Sequence, residues 1–143
     1  MSTIHKSITI SAPVERVFAY VSDPTHLPEF WPNMVEVKNV VPHPDGGAGF
    51  DWTYRMAGIK VTGHSEDVEF ERNRCVVSRS ERGIQNVFRW SYAPKDGGTE
   101  VTLDVDYAPP SSLFGRVVRP LLDRINERDA ATLLRNLKAH FEA

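Results

Sequence analysis

Between residues 34 and 108 the apolar side chains recur at alternate positions in one short run after another, and only beyond residue 110 does a long helical spacing appear. Alternation is the signature of strands with one buried face, so this stretch reads as a meander of strands. Val35 to Val41 forms the first of its runs and ends in the turn Pro42-His43-Pro44-Asp45-Gly46-Gly47. Phe50, Trp52, Tyr54 and Met56 share one parity, opposed by Asp51, Thr53 and Arg55. In the next run the parity changes, from Ile59 and Val61 to Val68 and Phe70. A bulge near Gly63 is the simplest cause. Cys75, Val76 and Val77 form a weaker run, followed by Phe88, Trp90 and Tyr92. After Lys95-Asp96-Gly97-Gly98, the residues Val101, Leu103, Val105 and Tyr107 alternate with Thr102, Asp104 and Asp106. Connections this short make successive strands antiparallel neighbours.

One more strand precedes the meander, with Ile4, Ile8 and Ile10 on a common parity. Two short helices separate it from the rest. The first places Pro13 in its opening turn and buries Val14, Val17, Phe18 and Val21. The second is capped by Asp23 and carries Leu27, Phe30 and Trp31, its length limited by Pro28 and Pro32.

Pro109-Pro110 ends the sheet, and a helical pattern runs from about Leu113 to Ala143. Phe114, Val117, Val118, Leu121, Leu122 and Ile125 share a face. That line then meets Arg128, Asp129, Thr132 and Asn136, while Leu133, Leu134, Leu137 and Phe141 lie rotated by roughly 120°. Either the helix kinks at Pro120 or its two halves face different surroundings. No internal repeat or linker interrupts the 143 residues, which suit one domain, 1–143.

A sheet with one apolar face and a single long helix must cover each other, since neither face is stable in water. The expected class is therefore α+β. The sheet's buried face is rich in rings: Phe50, Trp52, Tyr54, Phe88, Trp90 and Tyr107. Such rings either fill a solid core or, on a curved sheet, leave a hollow; small-molecule sites of about 300–1,000 Å³ are lined in this way. Met56 extends the ring-bearing row, and Val118, Leu121, Leu122 and Ile125 are the helix residues expected to face it.

Several function classes are disfavoured. A net charge of −2, from 17 Lys and Arg against 19 Asp and Glu, leaves no basic excess for nucleic acid. No apolar run is long enough for an integral membrane segment, and the N-terminus lacks a signal-peptide layout. The lone cysteine, Cys75, excludes an internal disulfide and fits a reducing, cytoplasmic compartment. The histidines at 5, 26, 43, 64 and 140 have no metal-ligand spacing, and neither a nucleophile elbow nor a phosphate loop is present. No metal and no cofactor is implied. An exposed edge strand would permit a homodimer.

Four polar residues are candidates for acid–base or anchoring work. His64 and Glu66 point inward together if the bulge precedes them, and outward if it follows. Arg79 has the parity of Cys75 and Val77, and would anchor a carboxylate or carbonyl if that face is inward. Asp129, with Arg128, interrupts the helix stripe.

The string SITISAPVERVFAYVSDPTHLPEFWPNMVEV resembles the opening of the START-like superfamily, also called SRPBCC or birch-pollen-allergen-like. GTEVTLDVDY resembles its last strand, and RNLKAHFEA the end of its long helix. The resemblance spans essentially the whole chain and is nearest to the polyketide cyclase/dehydrase-type branch. It implies a helix-grip fold: a seven-stranded antiparallel sheet wrapped around the C-terminal helix, two short helices between strands one and two, and a cavity opening near the loops after strands two and four and the front half of the long helix. It also implies a small hydrophobic ligand, such as a lipid, quinone or polyketide-like aromatic. The superfamily also includes cyclase/dehydratase enzymes and co-chaperone-like interaction modules, so fold leaves activity open.

Overall fold

The computed structural model describes residues 2–108 and 119–142. Strand β1 (Ser2–Ile10) leads into helix α1 (Val14–Val21), a 3-10 turn (Pro24–His26) and the single-turn helix α2 (Leu27–Phe30). Six strands follow: β2 (Met34–Pro42), β3 (Ala48–Met56), β4 (Ile59–Glu71), β5 (Cys75–Arg82), β6 (Gln85–Lys95) and β7 (Gly98–Ala108). Helix α3 is described over Arg119–Glu142. The sheet order is β1-β7-β6-β5-β4-β3-β2, with every neighbouring pair antiparallel. This is the helix-grip fold.

Local chemistry explains the short helices. Pro13 takes the N-cap of α1 with extended backbone, one position ahead of the first turn, and its carbonyl accepts from the amides of Arg16 and Val17. Val17, Phe18 and Val21 are the buried face of α1. Asp23 caps the 3-10 turn, its carboxylate accepting from the Thr25 amide and hydroxyl.

The parity change in β4 has a different origin from the one the glycine suggests. Register with β5 shifts between Asp67 and Glu69, so Val68 is the extra residue and stands 56% exposed. Val61, Ser65 and Asp67 therefore face inward, and Phe70 resumes that face beyond the bulge. Gly63 serves another need. A Cβ there would lie 2.3 Å from the Trp52 indole and 2.4 Å from the Arg82 carbonyl, so only glycine lets that ring lie flat on β4.

Helix α3 crosses the inner face without the expected change of stripe. Leu122, Asn126, Ala130, Leu133, Leu134 and Leu137 form one buried line at helical spacing. Asn126 and Ala130 are polar and small, so a count of large apolar residues loses the line at that point. Leu121, 55% exposed, lies off it, and Ile125 is only half-buried. The C-terminal turns are pinned by side chain to backbone bonds: Asn136 Nδ2 donates to the Phe30 carbonyl (3.1 Å), Lys138 Nζ to that of Thr9 (2.6 Å). Tyr20 stacks between the rings of His26 (4.5 Å) and His140 (4.0 Å), closing α1 onto the helix end.

Candidate functional site

The rings on the inner face do not meet α3 in solid contact. Between them lies a hollow of about 120 Å³, below the size typical of drug-sized ligand sites. Its floor comes from alternate residues of β3 to β7, which the pleat turns to one face. Phe50, Trp52, Tyr54, Met56, Phe88, Trp90 and Tyr107 all line it. Ile84, Leu103 and Val105 fill the spaces between these larger side chains, and Ala130 and Leu133 of α3 form the roof.

The helix residues expected from sequence fare differently. Leu122 is buried in the core but outside the lining, and neither Leu121 nor Ile125 reaches the hollow. The lining side of α3 is one position further round, at Asn126, Asp129, Ala130 and Leu133. Val118 lies outside the described residues.

Of the four polar candidates, only Asp129 lines the hollow. Its Oδ2 accepts from the Tyr54 hydroxyl at 2.7 Å and from Asn33 Nδ2 at 3.0 Å. Burial, and then the Asp129 carboxylate, raise the Tyr54 phenol far above its usual range, so it stays a donor. Trp31 packs edge-on to Tyr54 (6.1 Å) and tilted against Phe88 (5.0 Å). Ser22, Trp31, Ser78, Asn86, Phe88 and Asp129 are the half-exposed residues of this lining, and Trp31, Asn86, Phe88 and Asp129 border its opening. The opening described by these residues lies between α2, β6 and α3; the loops after strands two and four supply none of the lining.

His64, Glu66 and Arg79 point away from the hollow. Because the β4 bulge comes after Glu66, both His64 and Glu66 fall on the outer face. There Asn39 Nδ2 donates to Asp51 (2.8 Å), Asp51 pairs with His64 Nδ1 (2.7 Å), and Glu66 bridges His64 and His43. Hydrogen bonds to Asp51 and then Glu66 raise the His64 pKa, and the bond from His64 lowers that of Glu66. This is a solvated polar chain rather than cavity chemistry. Arg79 is exposed. Its parity partners Cys75 and Val77 are buried on the outer face, where Arg89 covers Cys75 at 3.3 Å. Among the described residues no group of three or more His, Cys, Asp or Glu is placed to hold a metal ion.

The polar lining residues that sequence reasoning missed are Ser22, Ser65, Asp67, Ser78, Asn86 and Asn126, whereas Tyr92 was legible as an inward ring with a hydroxyl tip. Ser65 accepts from Trp52 Nε1 at 2.9 Å. Asp67, 8% exposed, accepts from the Ala48 amide at 2.9 Å. Burial nevertheless pushes its pKa up to about 6. The Tyr92 hydroxyl and both amide atoms of Asn126 are buried with no hydrogen-bond partner among the described residues. Asn126 stands close enough to Tyr107 to favour ionisation of its phenol, against the burial that pushes that group up to about 12. Only the i, i+4 spacing from Leu122 to Ala130 could have located Asn126 from sequence. For Asp67 the signal was its parity with Val61, visible only once the bulge is placed.

Comparison with known proteins agrees with this architecture. Residues 1–142 match the family model described as polyketide cyclase / dehydrase and lipid transport. No curated protein matches the sequence. Among solved structures, TTHA0849 from Thermus thermophilus superposes with a TM-score of 0.83 at 23% identity, covering 96% of this chain and 95% of its own. A START superfamily protein from Mycobacterium smegmatis gives 0.81 at 16% identity, over 98% and 97%. The Zhui aromatase/cyclase from Streptomyces gives 0.82 at 16% identity, over 99% and 93%. At these identities the likeness is one of fold.

Proposed function

Because the chain belongs to the polyketide cyclase / dehydrase and lipid transport family, we propose that it binds or carries a small, largely apolar molecule in the hollow between its sheet and α3. The observation that carries this reading is the hollow itself. A ring-lined space of this size, left unfilled, forfeits contacts worth on the order of 24 cal/mol per Å³, a cost offset when a guest occupies it. No described helix is long and apolar enough to cross a membrane. The single cysteine, buried and unpaired, supports a cytoplasmic setting.

The test is saturable uptake of the neutral probe N-phenyl-1-naphthylamine, with a melting temperature that climbs with probe concentration. Ala130→Phe, which puts a ring into the roof, should abolish uptake while the protein remains folded. An absence of saturable binding, or equal binding by Ala130→Phe, would overturn the reading.

A second reading, a cyclase or dehydratase, draws support from Asp67. A buried carboxyl with a pKa near 6 is suited to take and return a proton near neutral pH. Of the four partners such chemistry was expected to use, His64, Glu66 and Arg79 turn outward and only Asp129 lines the hollow, so binding ranks first. A co-chaperone-like role needs a continuous exposed apolar patch. Here Val35, Val41, Ile59, Val68 and Leu121 are scattered over β2, β4 and α3.

A further inference from the structure

Among the described residues, the lining of the hollow carries charge of only one sign. Two carboxylates, Asp67 and Asp129, line it, and among the described residues no Lys, Arg or His does. Arg119 does not line it either, being bonded to Ser2 and placed 3.5 Å from Asp123. An anionic guest would therefore meet like charge in a desolvated space with no counterion, which is costly. Both carboxylates, moreover, already have donors: Tyr54 and Asn33 for Asp129, and the Ala48 amide for Asp67.

Asn126 differs: the neighbouring Tyr107 hydroxyl already donates to Asp123, and no described group meets the Asn126 amide at full hydrogen-bonding geometry. Its side chain lines the hollow, the residue is 7% exposed, and neither Nδ2 nor Oδ1 has a partner among the described residues. A primary amide offers two donors and an acceptor side by side. Leaving them buried and unmet is unfavourable, and a guest that meets both at once recovers that loss.

Resting on the reading of the hollow as a binding site, we propose that Asn126 is its specificity determinant. It selects an uncharged ring system that carries a donor and an acceptor side by side on one edge, as a carboxamide, a lactam, or a hydroxyl beside a ring carbonyl does. The ring system lies against Trp52, Phe88 and Trp90, and its paired edge meets the Asn126 amide in two antiparallel hydrogen bonds. Carboxylate-bearing guests are rejected by Asp67 and Asp129.

Three naphthalene probes separate the outcomes: 2-naphthamide, 2-naphthoate and 2-methylnaphthalene, titrated calorimetrically into the full chain at pH 7.5. The amide should bind about tenfold or more tightly than either of the others. Asn126→Leu should erase that advantage. Equal affinities for amide and hydrocarbon in the native protein, tightest binding by the naphthoate, or an unchanged preference in Asn126→Leu would each overturn the inference while leaving the binding reading standing. If none of the three binds, the binding reading falls as well. The comparison in the native protein needs no variant, so a failure of Asn126→Leu to fold does not remove the test.

Discussion

The hydroxyl of Tyr54, on β3, donates to the carboxylate of Asp129, on α3, across 2.7 Å at the opening of the hollow. Sheet and helix are thus tied by one charge-assisted bond at the mouth of the space between them. Such bonds exceed neutral ones in strength. Tyr54→Phe should cost about 1 kcal/mol in urea unfolding, whereas Asp129→Ala, which strands the buried phenol, should cost about 2 kcal/mol. The reverse order would show that the bond does not hold helix to sheet.

Asp67 predicts a pH dependence of the opposite sense to that of a paired surface carboxylate. Its folded pKa, about 6, lies above the ordinary value of 3.8. Below the ordinary value both states are protonated. As pH rises toward 6 the unfolded chain ionises first, so stability is lost through this window and levels off above it. The full effect is on the order of 3 kcal/mol. Asp67→Asn keeps an acceptor for the Ala48 amide, and should flatten the slope between pH 4 and 6 in denaturant titrations. A slope unchanged by the substitution would contradict the assignment.

The Tyr92 hydroxyl offers a deletion that should not harm the empty protein. It is fully buried, packs edge-on to Phe18 at 5.1 Å, and has no partner among the described residues. Removing an unmet polar group while keeping the ring costs nothing in packing. Tyr92→Phe should melt at the same temperature or higher. A loss of more than about 1 kcal/mol would mean that the hydroxyl is bonded after all.

Gly63 tests the shape of the floor. Gly63→Ala drives a methyl into both the Trp52 indole and the Arg82 carbonyl, and should cost roughly 3 kcal/mol as well as altering Trp52 fluorescence. Gly58→Ala is the control. At φ +83 it is strained, but nothing lies within 4 Å of its Cβ, so about 1 kcal/mol is expected. A cost at Gly63 no larger than at Gly58 would mean that the indole and the Arg82 carbonyl give way to the methyl, since Gly63 has no positive φ.

Alternation and helical spacing are local properties, and they located the strands, both short helices and the long one. The row Phe50, Trp52, Tyr54 and Met56 was legible because a strand's pleat sorts neighbours to opposite faces without outside help. Bulges and buried polar groups obey no such local rule. The position of the extra residue in β4 depends on pairing with β5, and it turned His64 and Glu66 outward while bringing Ser65 and Asp67 inside. On α3 a stripe that runs through Asn126 and Ala130 has no large apolar side chain to announce it, so the inward face was placed one residue away, on Leu121 and Ile125.

The amino-acid order by itself determined that a strand, two short helices, six further strands and a long helix must bury an aromatic face together, because each of those faces is unstable in water. The tertiary structure alone decided that the faces stop short of full contact, and that Asp67, Asn126 and Asp129 are among the polar groups bordering the gap. Those features arise from ladder register and from the way the helix settles over the sheet, and they are set by residues far apart in the chain.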